Sequence, residues 1–131
     1  MARCFNNLNY HLIFVTKNRE KIITREMHEE IKKFFSEKEK ELELKIKIGN
    51  GVEEHIHILT SIPPKYSISE VVKHLKGYTS FSIPELYWSR GYSCLTVDNS
   101  SINRVYKYIK NQQEHHRTQS YEDEIDKLET P

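Results

Sequence analysis

Cysteine is almost missing from this chain. Cys4 and Cys94 are its two thiols, and with no close pair between them a zinc finger is not expected. A structural disulfide stays open, but nothing signals secretion. The N-terminus carries no apolar stretch of a signal peptide, and no apolar run approaches the length that spans a bilayer. The expectation is a cytoplasmic protein with reduced thiols. Glycine and proline number four each, and neither an internal repeat nor a low-complexity segment interrupts the sequence.

An excess of one charge is also missing, since the formal net charge is only +1. That average hides an asymmetry. Residues 117–131 set Arg117 and Lys127 against Glu122, Asp123, Glu124, Asp126 and Glu129, a net −3 that leaves +4 on residues 1–116. A basic body with an acidic tail is compatible with a polyanionic partner. The 131 residues suit one domain, and 37% hydrophobic against 30% charged residues is ordinary for a globular protein.

In order, Tyr10 to Thr16 is rich in β-branched and aromatic residues and reads as a central first strand, covered on both faces. Lys17, Asn18 and Arg19 follow, either as a solvated turn or as a phosphate contact. Thr24 can cap a helix to about Glu41, with Met27, Ile31 and Phe34 on one stripe. Leu42, Leu44, Ile46 and Ile48 alternate with charged residues as a half-buried strand, and Gly49-Asn50-Gly51 reads as the hairpin turn after it. A third strand follows from His55 to Thr60, stopped by Pro63-Pro64.

Ser67 and Glu70 fit a capping box for a second helix that ends near Gly77. Phe81 to Tyr92 is less regular, with room for a short helix and a loop. Ser93 to Val97 reads as a fourth strand. Asp98 to Ser101 offers N-caps for a last helix, buried along Ile102, Val105, Tyr106 and Ile109 and fraying near His115–His116. The first six elements match the α+β ferredoxin-like split βαβ pattern, an antiparallel four-stranded sheet with two helices on one face. Its central pair is the first and third strands, and the final helix is the natural cover for the open face.

Two stretches carry chemistry. In Glu53 to Thr60, strand alternation puts His55 and His57 on one face, about 7 Å apart along the chain. Two neighbouring imidazoles can share a divalent metal, or they can be two unrelated strand histidines. On the last helix, Tyr108 and Gln112 are four apart and so lie one turn apart. Gln112 could add a carbonyl oxygen as third ligand. Three neutral ligands preserve the ion's full charge for polarising a phosphodiester. Tyr108 would then reach phosphorus, its hydroxyl (ordinary pKa about 10) helped towards the phenolate by the cation. The bland alternative is a half-buried tyrosine and an exposed glutamine.

His55-Ile56-His57 resembles the histidine–hydrophobe–histidine motif of the HUH endonuclease superfamily. Tyr108-Ile109-Lys110-Asn111-Gln112 resembles the tyrosine motif of its single-tyrosine transposases, the IS-two-hundred/IS-six-hundred-five class. His11 to Lys17, Leu75-Lys76-Gly77 and Trp88-Ser89-Arg90-Gly91-Tyr92 are similar to further segments of that family, in its order, from about Asn9 to His116. One departure is Glu54, where the family often has Asp.

The resemblance implies a catalytic domain over 1–116 followed by an acidic tail. It implies that His55, His57 and Gln112 bind magnesium or manganese and that Tyr108 is the nucleophile, forming a 5′-phosphotyrosine. It further implies single-stranded DNA with hairpin ends as substrate, and a homodimer in which the tyrosine helix of one subunit serves the other. Lys17, Arg19, Lys73, Lys76 and Arg90 are candidate DNA contacts, with solvated charge as the alternative. Other readings are a domesticated repeat-associated relative, a non-catalytic single-stranded RNA-binding module, and a metal-dependent hydrolase using water.

Overall fold

The computed structural model describes residues 8–112. The acidic segment 117–131, Cys4 and the expected fraying at His115–His116 lie outside those residues. Four strands, β1 (Asn9–Val15), β2 (Lys45–Gly51), β3 (His55–Ser61) and β4 (Ser93–Val97), form one sheet in the order β2-β3-β1-β4. All three pairings are antiparallel, so β1 and β3 are the central pair, as expected.

Strand alternation divides the sheet between two partners. Leu12 and Phe14 of β1 and Ile56 and Ile58 of β3 face α1 (Arg25–Leu42) and α2 (Ile68–Ser82), and together they form the main core. The opposite face is covered by α3 (Ile102–Lys110), through a smaller cluster of Leu59, Val97, Val105 and Ile109. The caps read from sequence are present. The Thr24 side chain accepts from the Met27 amide, and Ser67 and Glu70 exchange both capping-box bonds.

Four local expectations are corrected. First, Leu42 belongs to α1, not to a strand. Glu43 ends that helix in the left-handed region (φ 55°), and its amide reaches back to the Glu39 and Lys40 carbonyls. Second, Gly49-Asn50-Gly51 is not the turn. A register irregularity between Ile46 and Ile48 shifts the pairing, so Gly49, Asn50 and Gly51 lie opposite Ile58, His57 and Ile56. The reversal falls on 52–54, where the Val52 amide donates to His55 O at 3.0 Å. His28 of α1 donates from Nε2 to Val52 O at 2.6 Å, and the Thr16 and Ile23 amides hold the Glu54 and Glu53 carbonyls, both at 2.9 Å.

Third, α2 runs through Gly77 to Ser82. It stops where Pro84 disfavours a helical conformation for the residue before it, Ile83. The loop beyond holds no short helix. Its Trp88 bridges to Thr16, and the indole N–H donates to Thr79 Oγ1 at 3.0 Å. Fourth, a 3-10 turn, Asn99–Ser101, precedes α3, and Tyr106 leaves the buried stripe for solvent.

Gly51 is required by close approach rather than by backbone angle. A Cβ there would lie 2.1 Å from His55 O and 2.7 Å from Ile56 Cα, both backbone atoms, whereas at Gly49 its nearest neighbour is His57 O at 3.8 Å. Gly51→Ala is therefore expected to destabilise the protein by about 2–3 kcal/mol. Gly49→Ala should leave stability within about 1 kcal/mol of wild type. Urea unfolding of both variants checks this, and equal stabilities would contradict the close approach.

Candidate active site

The face of the sheet beneath α3 is unusual in carrying polar side chains as deeply buried as its apolar ones. His55 and His57 are 0% exposed, His11 is 1% and Gln112 is 0%. Antiparallel register explains how they meet. Asn50, His57 and Ile13 lie in one row across β2, β3 and β1, and His11 sits two residues along from Ile13 on the same face. Such diagonal neighbours come within reach when the side chains are long. His11 Nε2 and His57 Nδ1 are 2.7 Å apart, and the two ring centroids are 5.0 Å apart.

His55 and His57 also share this face, with ring centroids 5.0 Å apart and planes at 71°. Tyr108 enters from above. Its ring packs edge-on against His57 at 6.0 Å between centroids, and its stem joins the apolar cluster under α3. The helix ends at Lys110, and Asn111 (φ −99°, ψ 28°) departs from helical angles. Gln112 then turns inward, its Oε1 3.2 Å from His55 Nε2. A carboxylate oxygen of Glu54 stands 3.8 Å from the other ring nitrogen, Nδ1.

Asn50 fastens this arrangement. Its side-chain amide donates to Ile109 O at 3.0 Å and to Lys110 O at 3.1 Å, satisfying carbonyls that a helix end leaves without intrahelical donors. The last turn of α3, which carries Tyr108, is thereby tied to the strand row that carries His57.

The donor set can hold a divalent cation. The carboxamide oxygen suits magnesium or manganese, and the two imidazole nitrogens suit first-row transition metals. Two ligands at right angles on an ion with bonds of about 2.1 Å are about 3.0 Å apart, close to the 3.2 Å between His55 Nε2 and Gln112 Oε1. Among the described residues no group of three His, Cys, Asp or Glu side chains is placed to hold a metal ion.

The five basic candidates separate. Lys73 and Arg90 line a concavity of about 430 Å³ with Trp88, Ser89 and Tyr92. An adjoining one of about 330 Å³ contains Arg19, Asn18 and Tyr92, and reaches Val15, the register partner of His55. Lys17 is exposed beside it, its amide donating to Tyr87 O at 2.9 Å. Lys76 lines the first concavity as well, and there it also has a structural task. Its ammonium donates to Ser89 O at 2.8 Å and Gly91 O at 2.7 Å, and burial pushes its pKa down. It stitches the 88–91 loop to α2.

Sequence reasoning found the two histidines, the tyrosine and the glutamine, all of which the fold brings together within one chain. It gave no role to His11 or Asn50. His11 opens a segment similar to the family, but its contact, like that of Asn50, depends on cross-strand register.

A family model described as Transposase IS200 like matches residues 4–112, a span that includes all four of those residues. The chain belongs to the IS200-like transposase family. Among its relatives, the ISDra2 transposase TnpA of Deinococcus radiodurans is 27% identical over 117 residues, covering 80% of this chain and 84% of that protein. The transposase for insertion sequence element IS200 of Salmonella typhimurium is 28% identical over 120 residues, covering 82% and 78%.

Two solved structures share the IS200-like fold. A Deinococcus radiodurans chain described as a candidate transposase superposes with a TM-score of 0.65 at 24% identity, covering 86% of this chain and 96% of that one. A REP-associated tyrosine transposase bound to a REP hairpin gives a TM-score of 0.68 at 13% identity, covering 88% and 74%. No helix among the described residues is long and apolar enough to cross a membrane.

If Asn50 ties the end of α3 to the sheet, Asn50→Ala should cost about 1–2 kcal/mol, the net worth of two hydrogen bonds. Hydrogen exchange should speed up at the last-turn amides of α3 and not in β1. Uniform exchange changes across the domain would contradict a local tether.

Proposed function

We propose that this transposase cleaves and rejoins single-stranded DNA through a covalent phosphotyrosine. The observation that carries the reading is the convergence of Tyr108 on His57 while His55 meets Gln112, on one buried face. Tyr108 Oη attacks a backbone phosphorus. The Tyr–O–P bond forms as the P–O3′ bond breaks, and the departing 3′ oxygen takes up a proton. The protein keeps the 5′-phosphate end and a 3′-hydroxyl is released. Because one phosphoester replaces another, the reverse attack by a different 3′-hydroxyl joins a new strand.

His55, His57 and Gln112 would hold a magnesium or manganese ion, which when bound supplies Lewis-acid polarisation of the phosphoryl oxygens. The residues' own task is to hold the phenol at the edge of that donor set. Packing of Tyr108 into the apolar cluster and the Asn50 tether do this, so little orientation is left for the moment of reaction. The two adjoining concavities, one with Lys73, Lys76 and Arg90 and the other with Val15 and Arg19, share Tyr92 and suit a phosphate backbone with a stacked base. Lys76 would shape that surface by holding the loop.

A hairpin at an element's end is the proposed recognition feature, supported by the family and by the hairpin in the REP-associated structure that shares this fold. The proposed assembly is a cytoplasmic homodimer, since one domain of this size has little room for a hairpin and a cleavage site together. In that dimer the tyrosine helix of one subunit would take, over the histidines of the other, the place that α3 holds here over its own. A domesticated repeat-associated role would use the same chemistry.

Incubation with manganese and labelled single-stranded DNA carrying a hairpin end should give protein-linked label on a denaturing gel. Tyr108→Phe should lose it entirely. Cleavage without any adduct, or an unchanged adduct in Tyr108→Phe, would point instead to attack by water or by another residue. RNA binding without cleavage would support a non-catalytic module. His57→Ala should bind DNA as wild type and cleave at least about 100-fold more slowly. Mixing Tyr108→Phe with His57→Ala should restore adduct if the tyrosine acts in trans, and no restoration would assign it to its own chain.

A further inference from the structure

His11 takes no part in the chemistry proposed above, yet it is buried at the centre of the site. It lies on β1, a strand paired on both sides, with Leu59 and Leu95 as its register partners. Its position is therefore set by one of the two central strands of the sheet. Its Nε2 stands 2.7 Å from His57 Nδ1.

Two ring nitrogens at that distance share one hydrogen, and a neutral imidazole carries only one N–H. Two arrangements satisfy the contact. If His11 donates, His57 accepts at Nδ1 and its own proton lies on Nε2, where it blocks metal ligation. If His57 donates from Nδ1, its lone pair lies on Nε2. Only the second arrangement makes His57 a ligand, because Nδ1 is already engaged.

We propose that His11 is a positioning residue for His57. Its Nε2 accepts the His57 Nδ1–H, which fixes both the ring orientation and the tautomer that puts the lone pair on Nε2. This rests on the metal reading of the site and adds to it a residue from a third element, beyond β3 and the end of α3. Metal-ligating histidines generally donate their second ring N–H to an acceptor, and removal of that acceptor weakens metal binding about 10–100-fold. The acceptor here is a second imidazole on the neighbouring strand. A neutral acceptor keeps the site's net charge unaltered, as a carboxylate would not.

Nitrogen NMR of wild-type protein labelled with 15N-histidine tests this first. His57 should show a pyrrole-type Nδ1 and a pyridine-type Nε2, with a coupling across the hydrogen bond from Nδ1 to His11 Nε2. A pyrrole-type Nε2 at His57 would overturn the proposal without any variant.

Manganese affinity measured by electron paramagnetic resonance is the second test. His11→Leu should raise the dissociation constant about 10–100-fold. His11→Gln, which retains an acceptor oxygen, should stay within about threefold of wild type, and all three proteins should bind single-stranded DNA alike. Equal manganese affinity in wild type and His11→Leu would remove the positioning role while leaving the metal site intact. Absence of manganese binding in the wild type would instead remove the metal reading itself. Should His11→Leu not fold, the wild-type spectrum and the His11→Gln affinity decide the matter.

Discussion

Three imidazoles buried on one face of a sheet must find polar partners, because burial without them costs more than a small domain can absorb. In this protein the partners come from the neighbouring strand and from beyond the end of α3. His57 meets His11 across β1 and β3, and His55 meets Gln112, which lies past the end of α3. Asn50 on the edge strand holds the carbonyls that end that helix. Polar satisfaction of the sheet and placement of the tyrosine helix are thus one problem with one solution. The apolar cluster of Leu59, Val97, Val105 and Ile109 gives the helix its adhesion. The polar contacts fix where along the sheet it stops.

The two faces of β1 and β3 divide the work cleanly. Leu12, Phe14, Ile56 and Ile58 go to the core under α1 and α2, and their sequence neighbours His11, His55 and His57 go to the site. A one-residue slip in either strand would exchange these sets, burying imidazoles among leucines and stripping the core. The pressure to keep the hydrophobic register therefore also keeps the site together. Gly51 guards that register at the hairpin, where only a residue without Cβ fits against the His55 carbonyl.

Much of this was legible in the sequence because it is local. Alternation placed His55 and His57 on one face, side-chain capping marked the starts of α1 and α2, and the element order gave the sheet its ferredoxin-like topology. The roles of Tyr108 and Gln112 were read from their one-turn spacing and chemistry beside the histidine pair, and resemblance to a family strengthened them, since spacing by itself describes any pair one helical turn apart. What was not legible depends on long-range contact. Gly49-Asn50-Gly51 carries turn propensity, but pairing with β3 draws it into a strand. Gly77 resembles a helix end, yet the helix continues to Ser82 until proline intervenes. Lys76 reads as solvated charge, although two loop carbonyls hold its ammonium. His11 could not be linked to His57 without knowing which residues of β1 oppose which of β3.

The central claim is that His55, His57 and Gln112 surround one cation beside the Tyr108 ring. Pulsed electron paramagnetic resonance of the manganese-loaded protein addresses it directly. The account predicts couplings from two imidazole nitrogens that change isotope signature on 15N-histidine labelling, together with a deuterium coupling when ring-deuterated tyrosine is supplied and lost in Tyr108→Phe. Manganese bound without any nitrogen coupling, or with couplings that persist when His55 and His57 are both replaced by alanine, would contradict it.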